Sequence, residues 1–212
     1  MQKYTVIYLN GPIGSGKDTI GTALVNVLTE AGFTAKTDQF KESLYDLASL
    51  IASIPRDLFV EHATDRILKE SPFFMLPKNF IEGTPSYGTY FSPRDWLIHV
   101  SERVAKPLLG KGVFGIQTAK RVVPYFEANK GGVVVLTDSG FEEERHELDQ
   151  AIVGNLGSSY RSFLIRLHRD GTSFTNDSRS YLANPDLLVD NHLPLEKIDS
   201  LAKNILVQLG VL

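Results

Sequence analysis

The feature that most limits the fold of this chain is a glycine-rich segment directly after a short apolar run. Residues 5–9 form a β-rich run typical of a buried strand, and residues 11–19 fit the pattern G-x-x-x-x-G-K, with Asp18 where Ser or Thr is usual. Over residues 18–31 apolar side chains recur at helical spacing, and Gly32 marks the end. Strand, glycine-rich turn and helix in this order predict the first unit of an α/β fold.

The glycine-rich segment predicts a phosphate-binding loop. Glycines allow successive backbone N–H groups to point at phosphate oxygens, and the following helix presents its positive end. In this pattern the lysine, here Lys17, reaches the β- and γ-phosphates of a nucleotide. A glycine-rich turn that only caps a helix is the alternative, but the preceding strand and the amphipathic helix favour nucleotide binding. The predicted binding residues are Gly11, Ile13, Gly14, Ser15, Gly16, Lys17, Asp18 and Thr19.

Candidate metal ligands lie at two places in the chain. The Asp18 carboxylate is expected to hold Mg²⁺ directly or through water, or the Thr19 hydroxyl takes that role, and both alternatives stay open. Asp138 follows the apolar strand predicted over residues 132–136. Across a sheet from a phosphate loop, such a carboxylate commonly serves Mg²⁺ or orients the nucleophile. An Asp that caps the next helix is the alternative.

The remaining segments alternate between helical and strand patterns. Helices are predicted over residues 41–54, 56–69, 92–109, 113–128, 142–153 and 195–209, strands over 33–37, 132–136, 161–168 and 187–189, and a long loop over 71–92. Strands that alternate with helices imply a parallel sheet covered on both faces, with the ligand beyond the carboxyl ends of the strands. Gly11, Asp138 and Asn191 all fall at such ends.

Several arginines and aromatic residues are further site candidates. Arg94, Arg169 and Arg179 lie at a helix start or in loops, and guanidinium groups suit phosphate oxygens; a solvated surface side chain is the alternative for each. Arg169 and Arg179 flank a polar segment similar to a closing lid. The aromatic candidates, which either stack on a base or fill the core, are Trp96, Tyr87, Tyr90 and Phe91. The five histidines show no i, i+3 or i+4 pairs, which argues against a histidine-built metal site.

Composition narrows the classes of partner. The 212 residues carry a net charge of −3 with a pI near 6.0, so a nucleic-acid polymer is not the expected ligand. The chain has no cysteine, which excludes disulfides and thiol catalysis. No run approaches the ~18–20 apolar residues of a membrane helix, and the first residues do not resemble a signal peptide. We therefore expect a cytoplasmic protein with no membrane partner, and a homodimer stays an open alternative.

Five segments together resemble the bacteriophage deoxynucleoside monophosphate kinases. They are the phosphate loop with its GKDT ending, Ser92-Pro93-Arg94-Asp95-Trp96-Leu97, Val135-Leu136-Thr137-Asp138 with Phe141 and Glu144, Leu164-Ile165-Arg166-Leu167-His168-Arg169, and Asp186-Leu187-Leu188-Val189-Asp190-Asn191. The resemblance implies a P-loop NTPase-type three-layer α/β sandwich with a mostly parallel sheet, in one domain over residues 1–212. It also implies a helical acceptor-binding insertion over approximately 38–130 and a lid-like segment over 169–183, and for a phage protein the cytoplasm is that of the host.

The same resemblance implies an activity and roles for the candidate residues. The activity is Mg²⁺-dependent transfer of the γ-phosphoryl group of ATP to a deoxynucleoside monophosphate. The implied catalytic residues are Lys17, Arg94, Asp138, Arg169 and Arg179, with Asp18, Thr19 and Asp138 around Mg²⁺. Arg94 and Lys41 are expected to clamp the acceptor phosphate, Arg169 and Arg179 to close over the donor, and Asn191 to lie near the donor adenine.

Two positions depart from the family. Gly140 stands where the family has an arginine, so a substrate contact is lost or is supplied elsewhere, and residues 177–181 match the family lid only loosely. Two other functions therefore stay open. One is a kinase for another small phosphate-bearing acceptor, and the other is a non-catalytic nucleotide-binding protein.

Overall fold

The computed structural model describes residues 3–75, 90–175 and 179–212, which group into two compact units. The second unit is Lys41–Val113, and the chain before and after it forms the first unit. The second unit is shorter than the insertion expected over approximately 38–130, because residues 38–40 and 114–130 group with the first unit. Among the described residues, no helix is both long and apolar enough to cross a membrane.

The elements follow one another in an alternating order. The strands are β1 (Tyr4–Asn10), β2 (Ala35–Asp38), β3 (Phe74–Met75), β4 (Tyr90–Phe91), β5 (Gly132–Ser139), β6 (Tyr160–His168) and β7 (Leu187–Asp190). The α-helices are α1 (Lys17–Glu30), α2 (Glu42–Ala52), α3 (Arg56–Thr64), α4 (Pro93–His99), α5 (Lys106–Leu109), α6 (Val113–Asn129), α7 (Glu142–Leu156) and α8 (Ile198–Gln208). A π-helical turn, Val100–Ala105, joins α4 to α5, and short 3₁₀ helices span Leu68–Glu70 and Leu195–Lys197.

The first unit is built on a parallel sheet in the order β2-β5-β1-β6-β7. β1 lies in the middle and pairs with β5 on one side and β6 on the other, and every pairing in this sheet is parallel. Because parallel strands all end at the same edge, residues far apart in the chain meet where β1 runs into the phosphate loop. The prediction of a mostly parallel sheet is confirmed.

Helices cover both faces of this sheet. Along β1 the side chains alternate, and Ile7 and Leu9 share one buried core with residues of α1 and α8. On the opposite face the Tyr8 hydroxyl donates a hydrogen bond to Asp149 of α7 at 2.5 Å, and the Tyr4 ring packs on Phe126 of α6 with centroids 5.4 Å apart. The three-layer α/β sandwich predicted from the sequence is therefore confirmed.

The second unit has its own aromatic core. Tyr45 of α2, Phe59 of α3 and Trp96 of α4 are buried in one cluster, and the Trp96 indole N–H donates a hydrogen bond to the Ala48 carbonyl at 2.9 Å. The predicted start of α4 is confirmed, since the Ser92 hydroxyl accepts the N–H of Asp95 at 3.1 Å. These contacts position α4 through its buried face.

One predicted helix of the second unit is shorter than expected. The sequence pattern extended it over residues 56–69, but α3 ends at Thr64 and a 3₁₀ helix follows. The cause is Asp65, whose carboxylate accepts the N–H groups of Ile67 and Leu68 at 2.7 and 2.8 Å. A side chain that bonds nearby backbone groups in this way competes with the continuing helix.

We predict that Trp96→Phe lowers the free energy of unfolding by about 1–3 kcal/mol, because it removes a buried hydrogen bond and leaves a cavity. Chemical denaturation followed by far-ultraviolet circular dichroism measures the change. Tyr90→Phe is the matched control, because the Tyr90 side chain is 59% exposed, and its effect should stay within about 0.5 kcal/mol. Unchanged stability in Trp96→Phe would contradict the core assignment.

Candidate phosphate-binding site

The loop between β1 and α1 has the backbone geometry of an anion site. Gly16, which precedes α1, has a φ of 91°, a left-handed conformation that favours glycine. The first intrahelical hydrogen bond of α1 runs from the Ile20 N–H to the Gly16 carbonyl at 2.9 Å. The N–H groups of Gly16, Asp18 and Thr19 therefore have no acceptor within the helix, and together with the positive helix end they suit a phosphate.

The Lys17 ammonium group lies inside the loop. The side chain is buried, with 9% of the residue exposed, and Nζ donates hydrogen bonds to the carbonyls of Gly11 and Pro12 at 2.6 and 2.7 Å. These two carbonyls come directly after β1, so the lysine folds back across the loop that it follows in sequence. A buried cation held in this way is placed for an anion in the loop.

Asn191 closes the loop from the side of β7. Its side-chain amide donates a hydrogen bond to the Ser15 carbonyl at 2.9 Å, and a Cβ at Gly16 would lie only 2.2 Å from the Asn191 Nδ2. Gly16 is thus required by this close approach as well as by its backbone. Two buried acceptors here, the Ser15 hydroxyl and the Asn191 Oδ1, have no hydrogen-bond partner in the protein. Asn191, expected near the donor adenine, contacts the phosphate loop itself.

The Asp18 carboxylate is oriented by two neighbours. Its Oδ1 accepts hydrogen bonds from the Thr137 hydroxyl at 2.7 Å and from the Gln39 amide at 3.1 Å, and Gln39 also donates to Thr137 at 2.9 Å. Asp18 and Thr19 are both exposed on the first turn of α1. A solvent-facing carboxylate fixed by neutral donors is a suitable oxygen ligand for Mg²⁺. Sequence reasoning did not identify Gln39 or Thr137.

Asp138 lies within β5 and links it to the segment after β2. Its Oδ1 accepts the Phe40 N–H at 2.9 Å. The carboxylate is therefore next to Thr137, which holds Asp18, at the same edge of the sheet. Its expected role with Mg²⁺ or the nucleophile stays a prediction.

A buried ion pair fixes the end of β2. Arg121 of α6 donates to Asp38 at 3.0 Å and to the Gln39 carbonyl at 2.7 Å, and Lys36 pairs with Asp38 at 2.8 Å. Burial alone would raise the pKa of the Asp38 carboxyl, but the hydrogen bonds from Arg121 and Lys36 outweigh it and hold the pKa below its ordinary value. This pair holds the backbone that carries Gln39 and, through it, Asp18.

The predicted basic residues are divided between the two units. In the first unit Arg169 is exposed after β6, and Arg179 packs its side-chain stem on Gly140. In the second unit Arg94 forms an ion pair with Glu70 at 2.7 Å, and the Lys41 ammonium lies 5.7 Å from the centre of the Tyr45 ring. Both assignments to an acceptor phosphate stay predictions.

The aromatic candidates for base stacking are largely core residues. Trp96 is fully buried and Phe91 is buried against it, with ring centroids 5.4 Å apart, so stacking on a base is wrong for Trp96. The helical spacing that placed Trp96 on α4 did not show which face of the helix is covered. Tyr90 is exposed, and Tyr87 lies outside the described residues.

Two histidines that are distant in sequence lie close together. The side chains of His168 and His192 each lie 3.7 Å from the carboxylate of Asp170, and all three residues are exposed. The spacing argument against a histidine-built metal site did not cover this case, because His168 ends β6 and His192 follows the adjacent strand β7. Such a cluster forms through strand pairing and has no linear signature.

Comparisons with known proteins find similarity in structure alone. No family model matches the chain, and no curated protein does. Two solved structures of the Mycobacterium tuberculosis APS kinase CysC match over 99% of both chains: a mutant with a TM-score of 0.50 at 14% identity, and a complex with AMPPNP and APS with a TM-score of 0.51 at 12% identity. The chain therefore has the fold of a P-loop kinase.

We predict that Asp38→Asn lowers the free energy of unfolding at pH 7 by about 1–3 kcal/mol, because Arg121 and Lys36 lose their carboxylate partner. The native pKa of Asp38 is depressed, so its contribution is complete above the unfolded-state pKa of about 3.9 and is lost as the pH falls through the lower native value. Denaturation curves from pH 7 to pH 3 should show the two proteins converging below about pH 4. A constant difference across this range would contradict the assignment.

Proposed function

We propose that this protein is an ATP-dependent kinase that transfers the γ-phosphoryl group of ATP to a deoxynucleoside 5′-monophosphate and releases the diphosphate. The observation that carries the proposal is the buried Lys17 ammonium, held between two loop carbonyls beside a helix end whose first N–H groups have no helical acceptor. This arrangement suits the donor triphosphate. The deoxynucleotide acceptor is inferred from the family resemblance of the sequence.

The reaction requires positioning more than covalent chemistry from the protein. Phosphoryl transfer needs the donor and the acceptor oxygen in line and the developing charge neutralised. Lys17 is proposed to follow the moving phosphoryl group, and the amide groups of the loop to hold the phosphates that remain on the donor. Arg169 and Arg179 are proposed to contact the donor, and Asn191 to support the loop.

The proposed Mg²⁺ site uses residues that the structure brings together. Asp18, with its Oδ1 fixed by Thr137 and Gln39, and the neighbouring Asp138 would hold the ion or its water ligands. When bound, Mg²⁺ would neutralise phosphate charge next to the Asp18 carboxylate. Thr19 offers a hydroxyl on the same turn of α1 and stays the alternative ligand.

The acceptor is proposed to bind through the second unit. Arg94 sits in the first turn of α4, where Ser92 caps the helix, and its guanidinium is half-buried against Glu70. A guanidinium at a fixed helix start can bind two oxygens of one phosphate. Lys41, directly before α2, supplies the second cation of this proposed clamp.

A second candidate is a kinase for another small phosphorylated acceptor. The observation that favours it is the shared fold with the APS kinase that was solved with AMPPNP and APS. Both candidates use the same donor site and differ only in the acceptor. Assays with dAMP, dGMP, dCMP, dTMP and APS distinguish them.

We expect the wild-type chain to phosphorylate at least one of the four deoxynucleotides, and Lys17→Ala to lower that rate by ~100-fold or more, because a preorganised cation at the moving phosphoryl group is lost. A coupled assay of ADP release measures both. Lys120→Ala, an exposed residue on α6, is the matched control and should keep the wild-type rate. Transfer to APS but to no deoxynucleotide would identify the second candidate.

A structural role for Lys17 gives a different result. If the lysine only stabilises the loop through the Gly11 and Pro12 carbonyls, Lys17→Ala would lower the melting temperature while the rate per folded molecule stays near that of the wild type. Thermal denaturation on the same samples decides between the two roles.

We predict that Asp18→Asn strongly weakens Mg²⁺-dependent transfer. The substituted side chain keeps an oxygen that can accept from Thr137 and Gln39, so the variant removes the charge and preserves the position. Nucleotide binding without metal should be unchanged or tighter, since one negative charge near the triphosphate is gone. A titration of the rate with Mg²⁺ measures the effect.

Thr19→Ala is the control for the Asp18 prediction. A larger loss in this variant would identify Thr19 as the ligand and Asp18 as its support. The competing view is that Asp18 only interacts with the positive end of α1, which contributes about 0.3–1 kcal/mol to stability. In that case Asp18→Asn would leave both the half-saturating Mg²⁺ concentration and the maximal rate unchanged.

A further inference from the structure

Gly140 is a buried glycine whose neighbours explain why no side chain is present. It follows β5, and a Cβ built there would lie 2.5, 2.6 and 2.7 Å from the Cγ, Cδ and Cβ atoms of Arg179. The φ angle of Gly140 is outside the left-handed range, so its backbone is open to any residue. The space at this position is therefore reserved for the Arg179 stem.

The backbone next to Arg179 is fixed to the end of β1. The buried amide of Asn10, the last residue of β1, donates to the Ser180 carbonyl at 3.0 Å and accepts the Leu182 N–H at 3.0 Å. Arg166 of β6 also donates to the Leu182 carbonyl at 2.5 Å. Residues 179–182 are thus held at the edge of the sheet that carries the phosphate loop, since Asn10 directly precedes Gly11.

We propose that Arg179 is a phosphate-binding residue that is set in place before the nucleotide arrives, with Gly140 and Asn10 as its positioning residues. This inference rests on the proposed function only in requiring that a nucleotide binds at the loop. It differs from the lid role expected from the sequence, in which Arg179 reaches the donor only on closure.

The charges at this edge of the sheet support the assignment. Asp18 and Asp138 place two carboxylates close to the phosphate loop, and Lys17 is buried among its carbonyls. A polyphosphate bound there needs further positive charge, and a guanidinium with a fixed stem can bind two phosphate oxygens at low entropic cost. Packing on Gly140 restricts the stem by contact with three of its carbon atoms.

Isothermal titration calorimetry tests the phosphate contact. In Arg179→Ala we expect the affinity for one nucleotide class to fall about 10- to 100-fold, the range for a lost charged hydrogen bond. Weaker binding of MgATP with unchanged binding of dAMP, dGMP, dCMP and dTMP would place the contact on the donor, and the reverse result would place it on the acceptor. Wild-type affinities and a wild-type kcat together would overturn the proposal.

A double-mutant cycle tests the positioning role. Gly140→Ala should weaken the same nucleotide as Arg179→Ala does, but it should have little effect in the Arg179→Ala background, where the stem is absent. Gly154→Ala on α7 is the matched glycine control, because nothing lies within 4 Å of its Cβ position, and it should bind like the wild type. Equal losses from Gly140→Ala in both backgrounds would overturn the positioning role.

Folding is measured on every variant by circular dichroism and thermal denaturation. If Gly140→Ala alone fails to fold and the double variant folds, the clash with the Arg179 stem is supported. If neither folds, the steric account is overturned.

The binding assays separate this inference from the proposed function. If no deoxynucleotide is phosphorylated but Arg179→Ala weakens MgATP binding, the proposed function fails and this inference stands. If deoxynucleotides are phosphorylated and Arg179→Ala behaves as the wild type, the inference fails and the function stands. A wild-type chain that binds no nucleotide overturns both.

Discussion

The central place of β1 in a parallel sheet is the constraint on which the candidate site depends. β1 pairs with β5 on one side and with β6 on the other, so the loop after it emerges between the ends of two strands that are distant in sequence. Asn10 uses this position, because one buried amide bonds the carbonyls of Ser139 and Ser180. The phosphate loop therefore receives support from several segments without a change in any strand.

The parts of the structure that depend on neighbouring residues could be predicted from the sequence. The phosphate loop, α1 and the Ser92 cap belong to this group, because each follows from a local pattern. The contacts of Asp18 could not be predicted, since Gln39 and Thr137 are 21 and 119 positions away and no local pattern joins them. The assignment of Trp96 failed for a related reason: helical spacing does not show which neighbour covers a face.

The two units carry different parts of the proposed chemistry. The first unit, with its parallel sheet and buried Lys17, has the fold shared with a known P-loop kinase. The second unit has a separate aromatic core around Trp96 and presents Arg94 and Lys41. In the proposal, donor recognition depends on the common fold, whereas the choice of acceptor depends on the second unit.

The contact between Gly140 and the Arg179 stem has a consequence for the divergence of this protein. A lineage that acquires a side chain at position 140 loses the space for an arginine at position 179, and one that loses the arginine no longer needs the glycine. The two positions should therefore covary among homologues, as contacting pairs do. Protein engineers who redesign this edge of the sheet must treat the two residues as one unit of inheritance.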